Sequence, residues 1–242
     1  MNSERRPFDM VARIQEHGYA IRPGFLQHEE LDAVHAAACQ LAASADARHY
    51  PKSTRVWDLY RHDALFVDLL DNAELTTTLT ELLGEHYLLS DYSLNTINPE
   101  QPADDWHIDY PYNEMRTFWE GPILGVQCIL TLDDFYRENG ATLLVPGTHH
   151  RPRQPEPDFA DVHHETFVAG AGTRLILAAA TWHRSGVNHT TQPRTAVLLS
   201  FVPRWIRPMT DPPEPGPWAT TEALRIRLGI RRPPETINGI PI

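Results

Sequence analysis

The sequence predicts a mainly β fold with flanking α: a jelly roll with N-terminal helices packed on one sheet. Three observations support this. Apolar residues recur at helical spacing through the first third of the chain. From about residue 87, short β-type runs alternate with turn clusters. Asn139-Gly140 and Pro146-Gly147 are strong turn signals between such runs. Helices followed by a strand-rich body fit a sandwich or barrel with helices on one face.

Taken in order, Phe8, Val11 and Ile14 share one helical face, and Gly18 is a helix stop. Residues 19–21 read as a short strand closed by Pro23-Gly24. Leu31, Val34, Ala38 and Leu41 form a second helical stripe. Leu75, Leu79, Leu82 and Leu83 form another, ended by Gly84. Strands are expected at 87–95, 106–109, 123–132, 141–145, 165–168, 174–178, 182–183 and 195–202. Residues 203–242 are proline-rich, with one short helix expected at 221–228, and read as a tail over the body. The whole, 1–242, is expected to be one domain with its core at about 8–202.

Composition narrows the partners. The net charge is −11, from 32 acidic and 21 basic residues. An acidic chain disfavours nucleic acid and anionic membrane as partners. No apolar run reaches the roughly 18 residues of a membrane span, and residues 1–6 are polar, so a cytoplasmic protein is expected. Cys39 and Cys128 are far apart and form no CxxC, which argues against a disulfide framework or a thiolate zinc site. The expected partner is a small-molecule substrate; the sequence sets no oligomeric state.

His107-Ile108-Asp109 is the first chemical signal. On a strand, residues i and i+2 share a face, so His107 and Asp109 would project together into the interior. A third ligand from a distant strand would complete a 2-His-1-carboxylate facial triad, which leaves open positions on iron. The chain has 13 histidines to choose from. His149 and His150 follow a turn, and His163 and His164 fall in a polar loop, so both pairs read as solvated or lid residues. His189 reads as a hairpin tip, which favours His183 at the end of an apolar strand. Arg194 opens the apolar strand that follows. A short hairpin would set it beside His183, where a guanidinium can grip a carboxylate with two parallel hydrogen bonds. Ser185 shares a strand face with His183 and can donate to the same carboxylate.

Together these residues resemble the phytanoyl-CoA dioxygenase family of Fe(II)/2-oxoglutarate-dependent oxygenases. The resemblance runs from about Phe8 to Val202. It begins with Gly18-Tyr19-Ala20-Ile21 and Gly24-Phe25-Leu26. It continues through Trp106-His107-Ile108-Asp109, the stretch from Asn139 to His149, and Trp182 to Asn188. Arg194 then falls eleven residues after His183, the spacing of the family's cosubstrate arginine. The chain departs from the pattern in its alanine-rich run Ala178-Ala179-Ala180.

The resemblance implies a double-stranded β-helix of the cupin type, Fe(II) on His107, Asp109 and His183, and 2-oxoglutarate and O₂ as co-reactants. The cosubstrate's far carboxylate would meet Arg194 and Ser185. Gln127 and Asn95, with Thr96 behind them, are further cosubstrate or substrate contacts. The implied reaction turns 2-oxoglutarate into succinate and CO₂ and oxidises an unactivated C–H bond. Halogenases on this scaffold have a small residue where Asp109 stands, so hydroxylation or a related oxidation is expected. Desaturation, cyclisation and epimerisation belong to the same scaffold, and a zinc-dependent or non-catalytic cupin is the competing class. Aromatic residues Tyr50, Trp57, Tyr60, Tyr110, Tyr112, Trp205 and Trp218, in segments expected to vary, are candidate walls for an apolar or ring-containing substrate. The acidic chain favours a bacterial natural-product intermediate over an acyl-CoA.

Overall fold

The computed structural model describes residues 9–118, 120–156 and 162–232, with the backbone of 236–237 and 240–241. Phe8, part of the 150–164 loop and the end of the tail lie outside the described residues.

Helix α1 (Met10–His17) starts where the Asp9 side chain accepts from the Ala12 N–H at 3.0 Å. It ends at Gly18, whose φ of 91° suits a residue without a side chain. A Cβ there would also lie 2.5 Å from Thr181 Oγ1, so the tight packing of this corner against the strand body demands glycine twice over. Strand β1 (Tyr19–Arg22), helix α2 (His28–Ala42), helix α4 (Ala73–Leu83) and its stop at Gly84 follow the expected order. Three elements were not foreseen: β2 (Arg48–His49), β3 (Ser53–Trp57) and α3 (Ala64–Leu70). The 48–58 stretch, among the segments expected to vary, therefore supplies two strands to the body.

The remaining strands are β4 (Leu88–Ile97), β5 (Val126–Thr131), β6 (Thr142–Val145), β7 (Glu165–Thr166), β8 (Arg174–Ala178), β9 (Trp182–Ser185) and β10 (Arg194–Val202). A seven-stranded antiparallel sheet runs β1-β8-β5-β10-β4-β3-β2, and a three-stranded antiparallel sheet runs β7-β6-β9. This is the mainly β architecture with N-terminal helices that the sequence predicts.

Alternation along the strands sorts residues into two cores. Tyr92, Leu94, Cys128, Ile176, Val197 and Leu199 face the helices and pack with Ile14, Val34, Phe66 and Leu79. Burying each such side chain contributes about 1.5–3 kcal/mol. Between the two sheets, Ile129, Leu144, Phe135, Phe167, Leu175 and Leu177 form the second core. The functional cavity opens beside that second core.

The tail lies over the body. Helix α5 (Glu222–Arg227) inserts Arg227, which donates to the Leu70 carbonyl and, at 3.0 Å, to Thr76 Oγ1. Further up the chain, the Met209 N–H donates to Ser90 Oγ at 3.0 Å, and the Tyr110 hydroxyl donates to the Arg207 carbonyl. Among the described residues, no helix is long and apolar enough to cross a membrane.

Candidate active site

His107 and Asp109 are not on a regular strand, contrary to the expectation for 106–109. His107 forms a single antiparallel bridge with His183. Its N–H donates to the His183 carbonyl at 3.0 Å, and the reverse bond is 3.1 Å. Asp109 then turns to Ala179, donating its N–H to that carbonyl at 2.8 Å. The segment between them is extended enough to keep both side chains on one side, but it pairs with two different partners and cannot form a ladder. Gly125 holds this corner close: a Cβ there would lie 2.6 Å from the Tyr110 carbonyl oxygen.

The three donor side chains converge. Their ligand atoms lie within 4.8 Å of one another. His183 Nε2 is 3.3 Å from Asp109 Oδ2, and His107 Nε2 is 3.9 Å from Asp109 Oδ1. Each imidazole is oriented from behind. His107 Nδ1 is 2.8 Å from the Asp105 carbonyl and His183 Nδ1 is 2.9 Å from the Thr181 carbonyl. A carbonyl only accepts, so Nδ1 carries a proton in both rings and Nε2 is the atom of each ring free to bind a metal. Two neutral imidazoles and a carboxylate so arranged fit a divalent transition metal.

The electrostatics agree. Burial pushes the Asp109 carboxyl up, but His183 and His107 outweigh it and hold it below its ordinary value. Burial pushes His183 down, yet Asp109 outweighs it and raises the ring. Burial and the neighbouring His183 lower His107. A cation shared by the three would replace the proton that Asp109 attracts onto His183.

Arg194 faces the same cavity, but not from the strand beside His183. β9 belongs to the three-stranded sheet and β10 to the seven-stranded one, where Arg194 pairs with Ile97. The 186–193 connection crosses between sheets, tied down by Asn188 N–H to Gln101 and His189 N–H to Glu138. The guanidinium thus approaches from the opposite wall. It is 3% exposed and stacks 4.0 Å from the Phe135 ring centroid. Its Nε and Nη2 are buried without a hydrogen-bond partner. Burial lowers its pKa to about 10, partly countered by Asp133 and Asp104, so it is cationic at neutral pH.

The cavity measures about 240 Å³ and takes in both sheets. Ser185 and Thr142 line it from β9 and β6, and Gln127 and Asn95 from β5 and β4. Asn95 Oδ1 is buried with no donor. Thr96, its neighbour, bonds to Thr195 Oγ1 at 3.1 Å and is not among the lining residues. His149 and His150 bond to the Gln15 and Glu16 carbonyls at 3.0 Å, at the end of α1, away from the triad. His163 and His189 are exposed, and His164 packs on Trp106.

Asp104 and Arg184 line the cavity without having been anticipated, and so do Arg55 and Asp91. The strands of the latter two show the period-two pattern: Thr54 and Val56 are buried while Arg55 is half-buried, and Asp91 and Ser93 alternate with Tyr92 and Leu94. That alternation could have marked them as one face of a sheet, though it does not separate a cavity from solvent. The aromatic walls fare differently. Of the seven candidates only Tyr110 lines the cavity. Tyr60 and Trp218 meet at a tilt with centroids 5.9 Å apart, Tyr50 and Trp57 meet edge to face at 6.0 Å, Tyr112 is buried in a separate core, and Trp205 is 66% exposed. Polar and charged side chains make up most of the lining, with Ile129, Ala196, Leu198 and Met209 supplying apolar surface between them.

A jelly roll that gathers two imidazoles and a carboxylate at one end of a polar cavity defines a mononuclear facial-triad site. Residues 14–196 match the phytanoyl-CoA dioxygenase (PhyH) family, and the chain belongs to it. It is 27% identical over 215 residues to the dioxygenase af480 of Aspergillus fumigatus, covering 84% of this chain and 69% of that one. It is 28% identical to the iron/alpha-ketoglutarate-dependent dioxygenase ausO of Aspergillus calidoustus, covering 64% of this chain and 53% of that one. The chain thus spans little more than half the length of ausO. The fold matches the epimerase SnoN, solved with Fe3+, alpha ketoglutarate and nogalamycin RO, with a TM-score of 0.68 at 20% identity, over 86% of this chain and 90% of that one.

Proposed function

We propose that the protein is an Fe(II)/2-oxoglutarate-dependent dioxygenase that hydroxylates an unactivated C–H bond of a small molecule. His107, Asp109 and His183 hold the metal. Arg194 and Ser185 take the far carboxylate of 2-oxoglutarate, with Gln127 and Asn95 in reach of the cosubstrate or substrate. One observation carries this reading: a buried, unpartnered guanidinium shares a cavity with the three-donor cluster. Such a cation is costly unless a ligand meets it. A hydrolytic zinc site or a non-catalytic cupin has no use for it.

When bound, iron with 2-oxoglutarate and O₂ supplies the oxidising power for C–H cleavage. The chain's own residues orient and shield. The Asp105 and Thr181 carbonyls fix the two imidazoles, and Arg194 fixes the cosubstrate from the opposite wall. A carboxylate at Asp109, where halogenases of this scaffold have a small residue, argues against halogenation, and hydroxylation is the reading proposed among the remaining oxidations. The acidic chain and the small cavity favour a compact metabolite over an acyl-CoA.

The test is anaerobic addition of Fe(II) and then 2-oxoglutarate to the purified chain. A visible charge-transfer band is expected, followed on admission of O₂ by succinate and a product that has gained one oxygen atom. Absence of the band, with zinc held tightly, would sink the oxygenase reading. Chlorination without hydroxylation would overturn the assignment of outcome to Asp109.

A further inference from the structure

Four charged side chains in the cavity have no part in holding metal or cosubstrate; Asp104 pairs with Lys52 at 3.6 Å and Arg184 lies 4.7 Å from the Trp106 ring centroid, which leaves Arg55 and Asp91. Arg55 projects from β3 and Asp91 from β4, and both line the cavity. Arg55 stands directly across from Asn95 in the strand register, and Asp91 is four residues from Asn95 on the same strand, so all three share one face. The Ser93 hydroxyl donates to Asp91 Oδ2 at 2.8 Å. Among the described residues, neither Arg55 nor Asp91 has an ion-pair partner within 4.0 Å, although the Arg55 charge acts on the Asp91 carboxyl. Asn95 Oδ1 waits between the strands without a donor. Burial pushes the Asp91 carboxyl up, and Ser93 and Arg55 only partly counter it.

Opposite charges set in one cavity, too far apart to pair, match a ligand that carries both signs. Size points the same way. Drug-sized ligands occupy pockets of about 300–1,000 Å³, and this cavity of about 240 Å³ must also accommodate the cosubstrate. A compact ligand fits beside it, and an uncharged polycyclic skeleton would leave the charged side chains of the lining unpaired.

We propose that Arg55 and Asp91 determine the substrate, a small zwitterion whose carboxylate meets Arg55 and whose ammonium meets Asp91 and the Asn95 oxygen. This rests on the oxygenase reading above and names the substrate class of the same site.

The experiment measures CO₂ released from carboxyl-labelled 2-oxoglutarate by the iron-loaded full chain with four probe sets: free α-, β- and γ-amino acids of both hands, their N-acetyl forms, their amides, and neutral polycyclic alcohols. At least one free amino acid is expected to stimulate release about tenfold more than its N-acetyl or amide form, and to raise the thermal unfolding midpoint in the same order. Asp91→Asn should shift preference toward the N-acetyl form and Arg55→Gln toward the amide. The proposal is overturned if N-acetyl forms or amides equal the free compounds, if only the neutral alcohols stimulate, or if nothing does. It is overturned too if Arg55→Gln raises the half-saturating 2-oxoglutarate instead, since Arg55 would then serve the cosubstrate. The wild-type panel decides the matter even if a variant fails to fold. A chain that forms the charge-transfer band but ignores zwitterions refutes this inference alone; a chain that never forms the band refutes the oxygenase reading beneath it.

Discussion

Where the two sheets meet, the Arg194 guanidinium is 3% exposed; where the tail meets the helices, Arg227 is 5% exposed. Arg227 is met on several sides, by the Leu70 carbonyl, by Thr76 Oγ1 at 3.0 Å, by Asp71 Oδ1 at 3.3 Å and by the Tyr87 ring. Arg194 has the Phe135 ring beneath it and two nitrogens with nothing to bond. Equal burial therefore means different things. Arg227 is spent on the fold, clasping α5 to the body, whereas Arg194 is kept available. Arg174 shows that unpartnered nitrogens are not sufficient. Its Nε and Nη1 are also unpartnered, but it stacks on Phe25, has Glu74 at 3.4 Å, and faces the helical layer. Arg194 differs from Arg174 in that its free side opens on the cavity lined by His107, Asp109 and His183; Arg184, which lines it too, is less buried and lies over the Trp106 ring.

The contrast can be broken most directly by truncating each arginine to an apolar chain. Under the proposed function, Arg194→Leu loses two charge-assisted hydrogen bonds to the cosubstrate. The half-saturating 2-oxoglutarate should rise about 100-fold, or about 2.7 kcal/mol. The urea midpoint should hold or rise, because an uncompensated buried cation has been removed. Arg227→Met should do the reverse. It strips a partner from the carbonyl of buried Leu70 and from the part-exposed Asp71 carboxylate and should cost about 1–3 kcal/mol of stability, with 2-oxoglutarate saturation unchanged. If both variants lose stability alike and both keep their cosubstrate affinity, the distinction is empty.

A pH series sharpens it further. Arg194 is a base whose pKa is lowered to about 10, chiefly by burial. It is cationic below that value and neutral above it. Cosubstrate affinity from this group is thus fully present at neutral pH and lost as pH rises through about 10. The dissociation constant for 2-oxoglutarate, measured anaerobically, should be flat in this range until about pH 9 and climb toward tenfold per unit beyond about pH 10. A surface arginine with its ordinary pKa would leave the constant flat to higher pH.

How much of this the sequence shows follows from locality. His107, Asp109, His183 and Arg194 can be read from short spacings, because metal ligands two residues apart and a cation opening the next strand are local patterns. The sheet to which Arg194 belongs cannot be read this way: the 186–193 connection could have turned back as a hairpin, and instead it crosses to the other wall. Arg55 and Asp91 were hidden for a related reason. A polar residue alternating with apolar ones looks the same whether it faces solvent or a cavity, and only the second sheet makes that face interior. Likewise β3, five residues after a proline turn, is stabilised by pairing with β4, a partner some forty residues away. Its own sequence is too short to announce it.

The smallest expected effect concerns the ring beneath Arg194. Phe135 stacks 4.0 Å from the guanidinium carbon and 5.7 Å from Phe167, at the edge of the inter-sheet core. Phe135→Leu keeps an apolar side chain there but removes the π face that helps hold the guanidinium flat. A cation–π contact of this kind contributes about 0.5–2 kcal/mol, so half-saturating 2-oxoglutarate should rise about two- to thirtyfold, with maximal rate retained at saturating cosubstrate. Stability should fall by about 1 kcal/mol from the lost ring packing. Tyr87→Leu under Arg227 is the matched control: the ring centroid is 5.2 Å from that guanidinium, which has hydrogen bonds to hold it in place without the ring. That variant should lose stability and leave 2-oxoglutarate saturation where it was. If Phe135→Leu moves stability alone, the ring is core packing that happens to lie under Arg194, and the cavity orients its cation by other means.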